Sequence, residues 1–402
     1  MKVLHVSTFD RVNGASIAAY RLHRALLASG VDSAMWVQNK VSSDHEIFGP
    51  RSGLYRFWNR CRPWIDRLPL GLCRAFGDYL VSLGWLPRFD SHPIKFFSPD
   101  VIHLHWVQGG FIPIDLVEKW RGLPLFWTFH DEWPFSGLRH YGSGNDQASN
   151  GILRKWDRRM RSRKSEIYKK VTPIGIAPSH WIRGRAEASE VWEDCRTQVL
   201  PNPIDSSTFL PGEKGAAREQ LGLPQDLPLV LFGAEAGASD PRKGFDLLRE
   251  ACGILSKEGV RFGLVCFGNG SQEEVGGVPC YSLGWLGKDE DLATAYSAAD
   301  LVALPSRMDN LPNTGVEAIS CGRPVVSFAV GGIPEIVEDG VSGFLCEAED
   351  PVQLAEKIGF LLEGVVLRSS MEVTARQKAV EQFSSQVLVP KFIKLYQGTL
   401  DH

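Results

Sequence analysis

Short apolar runs alternate with stretches of helical periodicity along the whole chain. In the first half the runs lie near Lys2 to Val6, Ala34 to Val37, Val101 to His105, Pro124 to Phe129, Ile174 to Ala177 and Gln198 to Leu200. In the second they lie near Leu229 to Phe232, Gly263 to Phe267, Leu301 to Leu304 and Val325 to Phe328. Continuous rather than alternating apolar runs predict parallel strands covered on both faces. Between them, positions such as Ile17, Ala18, Leu22, Ala25 and Leu26 share one helical face. The pattern predicts an α/β protein with two doubly wound parallel sheets.

Two sheets also suit the length, since 402 residues exceed what one core usually supports. Leu200-Pro201-Asn202-Pro203-Ile204-Asp205 is the expected hinge, because two prolines continue neither a helix nor a central strand. This predicts a first domain over 1–203, a second over 204–380 and an amphipathic closing helix within 381–402.

The net charge of -3 hides an asymmetry. Residues 1–200 carry 28 Lys and Arg against 19 Asp and Glu, or +9, and the remainder 16 against 28, or -12. Such a split argues against nucleic acid as partner of the whole protein and for one half meeting an anionic surface. Eight cysteines occur singly, without Cys-x-x-Cys or zinc spacing, which fits buried thiols in a reducing cytoplasm. Met1 to Val6 enters a strand pattern directly rather than a signal peptide, and no apolar run nears the ~18 residues of a membrane span. Membrane contact, if any, is expected to be peripheral.

The chemistry concentrates between Pro305 and Leu345. Leu301 to Pro305 reads as a strand, Asn310-Leu311-Pro312 as a turn and Asn313 as the N-cap of a helix. Backbone N-H groups near Thr314, Gly315 and Val316 then form an anion site suited to a diphosphate. Glu317, about one turn in, can accept paired hydrogen bonds from two neighbouring hydroxyls, and Asp309 can meet hydroxyls of a sugar beyond the phosphates. Taken alone, Glu317 also reads as a complement to the helix dipole and Asp309 as a solvated loop charge. A second strand, Arg323 to Phe328, followed by Val330-Gly331-Gly332-Ile333-Pro334-Glu335, adds a glycine loop with an acid beyond it.

This run resembles the nucleotide-sugar site of family 4 glycosyltransferases, in which two acids separated by seven residues precede a Gly-Gly-x-Pro-Glu loop. Asp309 stands where that family usually has Glu. The resemblance implies the GT-B fold, two Rossmann-like domains facing each other across a cleft. It also implies transfer of a sugar from a nucleoside diphosphate sugar with retention of configuration, no cofactor, and no metal. The acceptor would be a saccharide or a lipid-linked saccharide of surface polysaccharide or glycolipid synthesis.

Other motifs follow in the family's order. Thr8 to Asn13 leads into Gly14-Ala15-Ser16, a loop that brings backbone near a ligand, with Asn13 where the family often has a second glycine. The run TFHDEWPFSGLRHY resembles the His-Asp-x-Trp segment of bacterial polysaccharide glycosyltransferases. That likeness sets His130 beside the transferred sugar, with Asp131 and Trp133 shaping the acceptor side and His105 and Trp106 lining an acceptor pocket. In the second half, Ser239 to Leu248 opens a helix, and Lys243 at its start opposes the helix dipole unless an anion binds there. The family pairs an Arg just after the preceding strand with the Lys of a Lys-Gly step. Ala234-Glu235 occupies that Arg region here, which makes Arg242 the candidate replacement. No Asp-x-Asp motif or metal cluster stands out for stabilising the leaving diphosphate, so Lys243, Arg242 and the helix after Asn313 are expected to do it. Gly268-Asn269-Gly270 and Leu283 to Leu286 are expected near the base, and Ser179 reads as a helix cap.

Two segments break the alternation. Arg51 to Leu86, within 51–86, mixes Phe57, Trp58, Trp64, Phe76 and Trp85 with Arg51, Arg56, Arg60, Arg62, Arg67 and Arg74. It reads either as an anionic membrane interface or as an insertion packed on its own lobe. Leu153 to Lys170 carries nine basic residues against Asp157 and Glu166 and reads as a solvated helix face or a second anionic contact. The same architecture also serves nucleotide-sugar epimerases and sugar phosphorylases, and a non-catalytic donor-binding subunit is the alternative outside enzymes.

Overall fold

A computed structural model describes the chain except residues 51, 73–80, 89–91, 143–150, 234–239, 269–271 and 401–402. Arg51, Arg74, Phe76, Ala234, Glu235, Ser239, Asn269 and Gly270 therefore lie outside the described residues. The chain divides into two compact units, Met1–Asn202 with Val389–His402, and Pro203–Leu388.

The first unit holds β1 (Lys2–Phe9), β2 (Asp32–Asn39), β3 (Ile47–Phe48), β4 (Val101–Leu104), β5 (Leu125–Thr128), β6 (Ile174–Ala177) and β7 (Thr197–Val199). Their order is β3-β2-β1-β4-β5-β6-β7, with every pairing parallel. Val3 pairs with Ser33 on one side and Val101 on the other, so strand order reverses between β1 and β4. The second unit holds β8 (Leu229–Gly233), β9 (Gly263–Phe267), β10 (Glu274–Val275), β11 (Val278–Gly284), β12 (Leu301–Leu304), β13 (Val325–Phe328) and β14 (Gly343–Cys346). Here the order is β10-β11-β9-β8-β12-β13-β14, with its reversal between β8 and β12. In open parallel sheets, ligands bind beyond the carboxyl ends of the strands at such reversals.

Both faces of the second sheet are covered. Leu229 and Leu231 join one core with Tyr296 and Ile319, while Val230 and Phe232 join another with Leu248 and Leu354. Each fully buried aliphatic side chain contributes about 1.5–3 kcal/mol. The first sheet buries Leu4, Val6, Ile102, Leu104 and Trp127 in one cluster.

Four strands escaped the apolar pattern for identifiable reasons. β3 and β10 have two residues each. β11 alternates, with Val278 and Cys280 buried and Pro279 exposed; Gly276 and Gly277, both at positive φ (60° and 80°), turn it antiparallel to β10. β14 begins at Gly343, where a Cβ would come 2.0 Å from the Val325 carbonyl oxygen.

The basic segment is the helix Gly151–Val171. Lys164 is fully buried and donates to the carbonyls of Trp133, Ser136 (3.1 Å) and Gly137 (2.9 Å). Arg163 meets Asp115 at 2.6 Å and Lys170 meets Glu118 at 2.7 Å. Part of this charge is thus spent within its own unit, while Arg154, Lys155, Arg158 and Arg159 stay exposed. The helix Ser385–Leu400 returns the chain to the first unit from Val389 onward. Its Tyr396 is fully buried, with the hydroxyl 2.7 Å from His103 Nδ1. Among the described residues no helix is long and apolar enough to cross a membrane.

Candidate functional site

In the second unit three loops meet at the β8/β12 reversal. After β8, a 3-10 turn Pro241–Lys243 precedes Gly244, the cap of the helix Phe245–Lys257. Gly244 has φ +65°, and a Cβ there would fall 1.8 Å from the Pro305 carbonyl oxygen. Only glycine lets the backbone pass so close to the end of β12. After β13, Gly331 (φ +59°) lies so near Asp309 that a Cβ would fall 1.7 Å from its carbonyl oxygen, which accepts the Gly332 N-H at 3.1 Å. Two glycines therefore draw the loops after β8 and β13 onto the loop after β12.

The product of that closure is an ion pair. Lys243 Nζ lies 2.5 Å from Asp309 Oδ2, and the Ser306 hydroxyl lies 3.4 Å from the same oxygen. Both charged side chains keep partial exposure, 27% and 13%, so the pair is accessible. Lys243 stands just outside the helix cap, and the anion beside it is the Asp309 carboxylate. Arg242 folds back on Asp240, with its guanidinium 2.7 Å from Oδ2.

Asn313 is the first residue of the helix Asn313–Ser320, and Pro312 occupies the cap, contributing no side-chain hydrogen bond. That corrects the placement of Asn313 as N-cap: proline's fixed φ and extended ψ make the turn one residue earlier. Thr314 lies half-buried in the first turn, while Asn310 and Leu311 are buried before it. Glu317 is buried one turn in, where the fully buried Tyr296 donates its hydroxyl to Oε2 at 2.7 Å. The Tyr296 bond fixes one face of this carboxylate.

Sequence reasoning missed Arg307. Its guanidinium grips Asp246 through two bonds (2.8 and 2.6 Å), Glu349 (2.8 Å) and the Pro241 carbonyl (2.8 Å), while its own N-H donates to the Arg242 carbonyl at 2.8 Å. It braces the Lys243 loop against the Asp309 loop. Its place just past a parallel strand was the available signal. Asp289-Glu290-Asp291 has metal-motif spacing but forms the first turn of the helix Asp289–Ala298, where acids offset the dipole. Leu283 and Leu286 pack on the core, and Gly268 donates to the Gly284 carbonyl at 2.8 Å.

In the first unit the β1/β4 reversal carries Gly14, exposed at the start of the helix Gly14–Ala28. Asn13 caps it, its side chain accepting the Ser16 N-H while the Ser16 hydroxyl accepts the Asn13 N-H, each at 3.0 Å. An asparagine here thus supplies a cap that glycine lacks. Ser179 likewise caps the helix His180–Glu187.

A string of histidines runs from His5 in β1 and His103 in β4 to His105 and His130, just past β4 and β5. His5 Nδ1 is 2.9 Å from His105 Nε2, and His105 Nδ1 is 3.1 Å from His130 Nε2. His103 is bonded on both nitrogens, to Tyr396 and to Thr128, each at 2.7 Å. His5, His103 and His105 are close enough to hold a metal, but the bonds at His103 make that ring part of a hydrogen-bonded cluster. Burial lowers His130 to about 4, with Asp131 partly opposing, and His103 to about 3. A neutral imidazole has one donor and one acceptor, so the string from His5 to His130 runs in one direction.

Asp131 is buried and accepts from Trp106 Nε1 (2.9 Å), Gln108 Nε2 (3.3 Å), the Trp133 N-H (3.0 Å) and His140 Nδ1 (2.5 Å). Trp133 is fully buried, donating its indole N-H to the Ser82 carbonyl at 2.9 Å. Asp131, Trp133 and the buried His105 therefore act on the site from behind, while half-buried Trp106 and His130 form its accessible edge. Four donors on one carboxylate leave Asp131 no room to bind an acceptor itself.

Comparison with known proteins agrees with this geometry. Residues 12–208 match the model of Glycosyltransferase Family 4, and residues 228–364 match Glycosyl transferases group 1. A D-inositol 3-phosphate glycosyltransferase from Xylanimonas cellulosilytica is 36% identical, covering 94% of this chain and 91% of its own. Among solved structures, sucrose-phosphate synthase from Thermosynechococcus elongatus superposes with a TM-score of 0.75 at 19% identity, covering 100% of this chain and 99% of that one. Anabaena Alr3699/HepE in complex with UDP-glucose gives 0.68 at 17% identity, covering 99% and 100%. With both halves matched in order and a relative alike over nearly the full length, the chain belongs to the family 4 glycosyltransferases of GT-B fold.

Proposed function

We propose that this glycosyltransferase moves a sugar from a nucleoside diphosphate sugar to a saccharide or lipid-linked acceptor, with retention and without a metal. The observation that carries the reading is the accessible Lys243–Asp309 pair, 2.5 Å apart where three loops converge. On this reading the donor's diphosphate takes over Lys243 and the first turn at Asn313 and Thr314, and Glu317, oriented by Tyr296, holds the ribose diol. Asp309, released from Lys243, then accepts from hydroxyls of the sugar.

The bond from the anomeric carbon to the phosphate oxygen breaks, and that pair of electrons leaves with the diphosphate. Lys243 stabilises the growing negative charge, an effect that commonly contributes on the order of 3 kcal/mol per donor. The acceptor oxygen bonds to the same face, and its proton passes to the departing phosphate. His130, neutral at pH 7, offers a hydrogen bond rather than a charge. Arg242 takes part only by leaving Asp240.

HepE was solved with UDP-glucose, which makes UDP sugars the first donors to try; the relative's name makes a phosphorylated polyol the first soluble acceptor. Thermal shift against UDP, GDP, ADP, CMP and dTDP sugars selects the donor, since a ligand at ~100 times its dissociation constant adds about 2.7 kcal/mol. NMR of the product then reads the anomer, and turnover in a chelator reads the metal. An inverted product, or full dependence on added divalent cation, overturns the corresponding part.

A further inference from the structure

The helix Gly53–Leu72 is amphipathic the wrong way round for a surface helix. Its buried positions are Asn59, Arg62 and Asp66, spaced to share one face. All three are satisfied by backbone of the first unit. Asn59 donates to the Gln38 carbonyl (2.7 Å), and Arg62 donates to those of Gly110 (2.5 Å), Leu86 (3.0 Å) and Pro87 (3.2 Å). Asp66 accepts the N-H groups of Leu83 (3.0 Å) and Gly84 (3.1 Å). A surface helix ordinarily buries its apolar stripe and shows its polar one. Here the polar stripe is the anchor.

The opposite face carries Phe57, Trp64 and Leu68, which are 66%, 82% and 55% exposed. Leu54 extends it at the helix start, at 78% exposed. Arg60 is exposed beside this ridge and Arg67 half-buried; the helix's one acid, Asp66, is on the buried face. Large exposed apolar groups in one row mark a contact surface. Aromatic and aliphatic side chains interleaved with arginine alone match a surface that is apolar at depth and anionic at its edge. The excess of +9 in residues 1–200 has the same sign.

We propose that the outer face of Gly53–Leu72 docks on an anionic lipid bilayer, with Phe57, Trp64 and Leu68 entering the headgroup boundary and Arg60 and Arg67 meeting lipid phosphates. The proposal rests on the lipid-linked form of the acceptor in the reading above, yet the two fail separately. Because the anchor residues lie on the other face, changes to the ridge leave the fold intact, which a melting curve checks.

The test is co-sedimentation of the full chain, without donor or acceptor, with vesicles of phosphatidylcholine alone or mixed with phosphatidylglycerol. Wild type is expected to sediment with the anionic vesicles and not with the neutral ones. Phe57→Ser combined with Trp64→Ser is expected to weaken binding at least about tenfold, and Arg60→Gln combined with Arg67→Gln about tenfold. Both pairs keep transfer to a soluble acceptor. No wild-type binding, or equal binding by the variants, overturns the docking surface while soluble transfer still supports the enzyme reading. A dimer in sedimentation velocity that Trp64→Ser dissociates assigns the ridge to a second copy and also overturns it. Vesicle binding without transfer to any lipid-linked acceptor upholds the surface and removes the acceptor reading alone.

Discussion

Lys243 is the residue on which most rests, because its ammonium is brought to Asp309 by two glycine-dependent approaches rather than by chance exposure. Lys243→Ala is expected to lower kcat by about a hundredfold to a thousandfold, with the melting temperature little changed, since an accessible pair contributes about 0–1 kcal/mol. Steady-state kinetics with the selected donor checks both. Gly331→Ala acts the other way: a methyl 1.7 Å from the Asp309 carbonyl must move the loop, costing on the order of 1–3 kcal/mol, and turnover falls with it. The Lys-Gly step, Asp309 and Glu317 could be read from residue type and order. The grip of Arg307 could not, because its four side-chain bonds go to three residues, Pro241, Asp246 and Glu349, distant in sequence. Nor could the saturation of Asp131, whose donors include Trp106 and His140.

At the scale of elements, ten strands were legible because a doubly covered strand is continuously apolar; the four missed are very short, alternating or begun by a glycine. The buried histidines of β1, the helix Gly14–Ala28, β4 and the loop after β5 give a pH signature. Burial depresses His23 to about 4, His103 to about 3 and His130 to about 4. In the unfolded chain each titrates near ~6.5. Between those values the unfolded state binds more protons, so their stabilisation is full above ~6.5 and is lost as pH falls towards 4. At pH 5 each is expected to cost on the order of 1–2 kcal/mol. Melting curves at pH 7.5 and 5.0 check this, and His103→Gln, which keeps a donor and an acceptor, is expected to reduce the pH dependence. An unchanged slope would mean the cluster is hydrated and charged in the folded state.

Over the whole molecule, the first unit is discontinuous, completed by Val389–His402 after the entire second unit has been made. The amphipathic end of the chain was visible as a helix, but nothing in its spacing named His103 as the partner of Tyr396. That contact buries an aromatic ring against Phe126 and Phe392 and closes a hydrogen bond at 2.7 Å. Tyr396→Ala is therefore expected to cost about 3–5 kcal/mol by the usual toll of deleting a buried ring, and Tyr396→Phe about 1 kcal/mol, the net worth of one hydrogen bond. The loss belongs to the first unit. Amide hydrogen exchange of the Tyr396→Ala protein should accelerate in β4 and β5, the strands that carry His103 and Phe126, while β12 and β13 keep their protection. Equal acceleration of β12 and β13 would show that the two units unfold as one, and that the closing helix secures both.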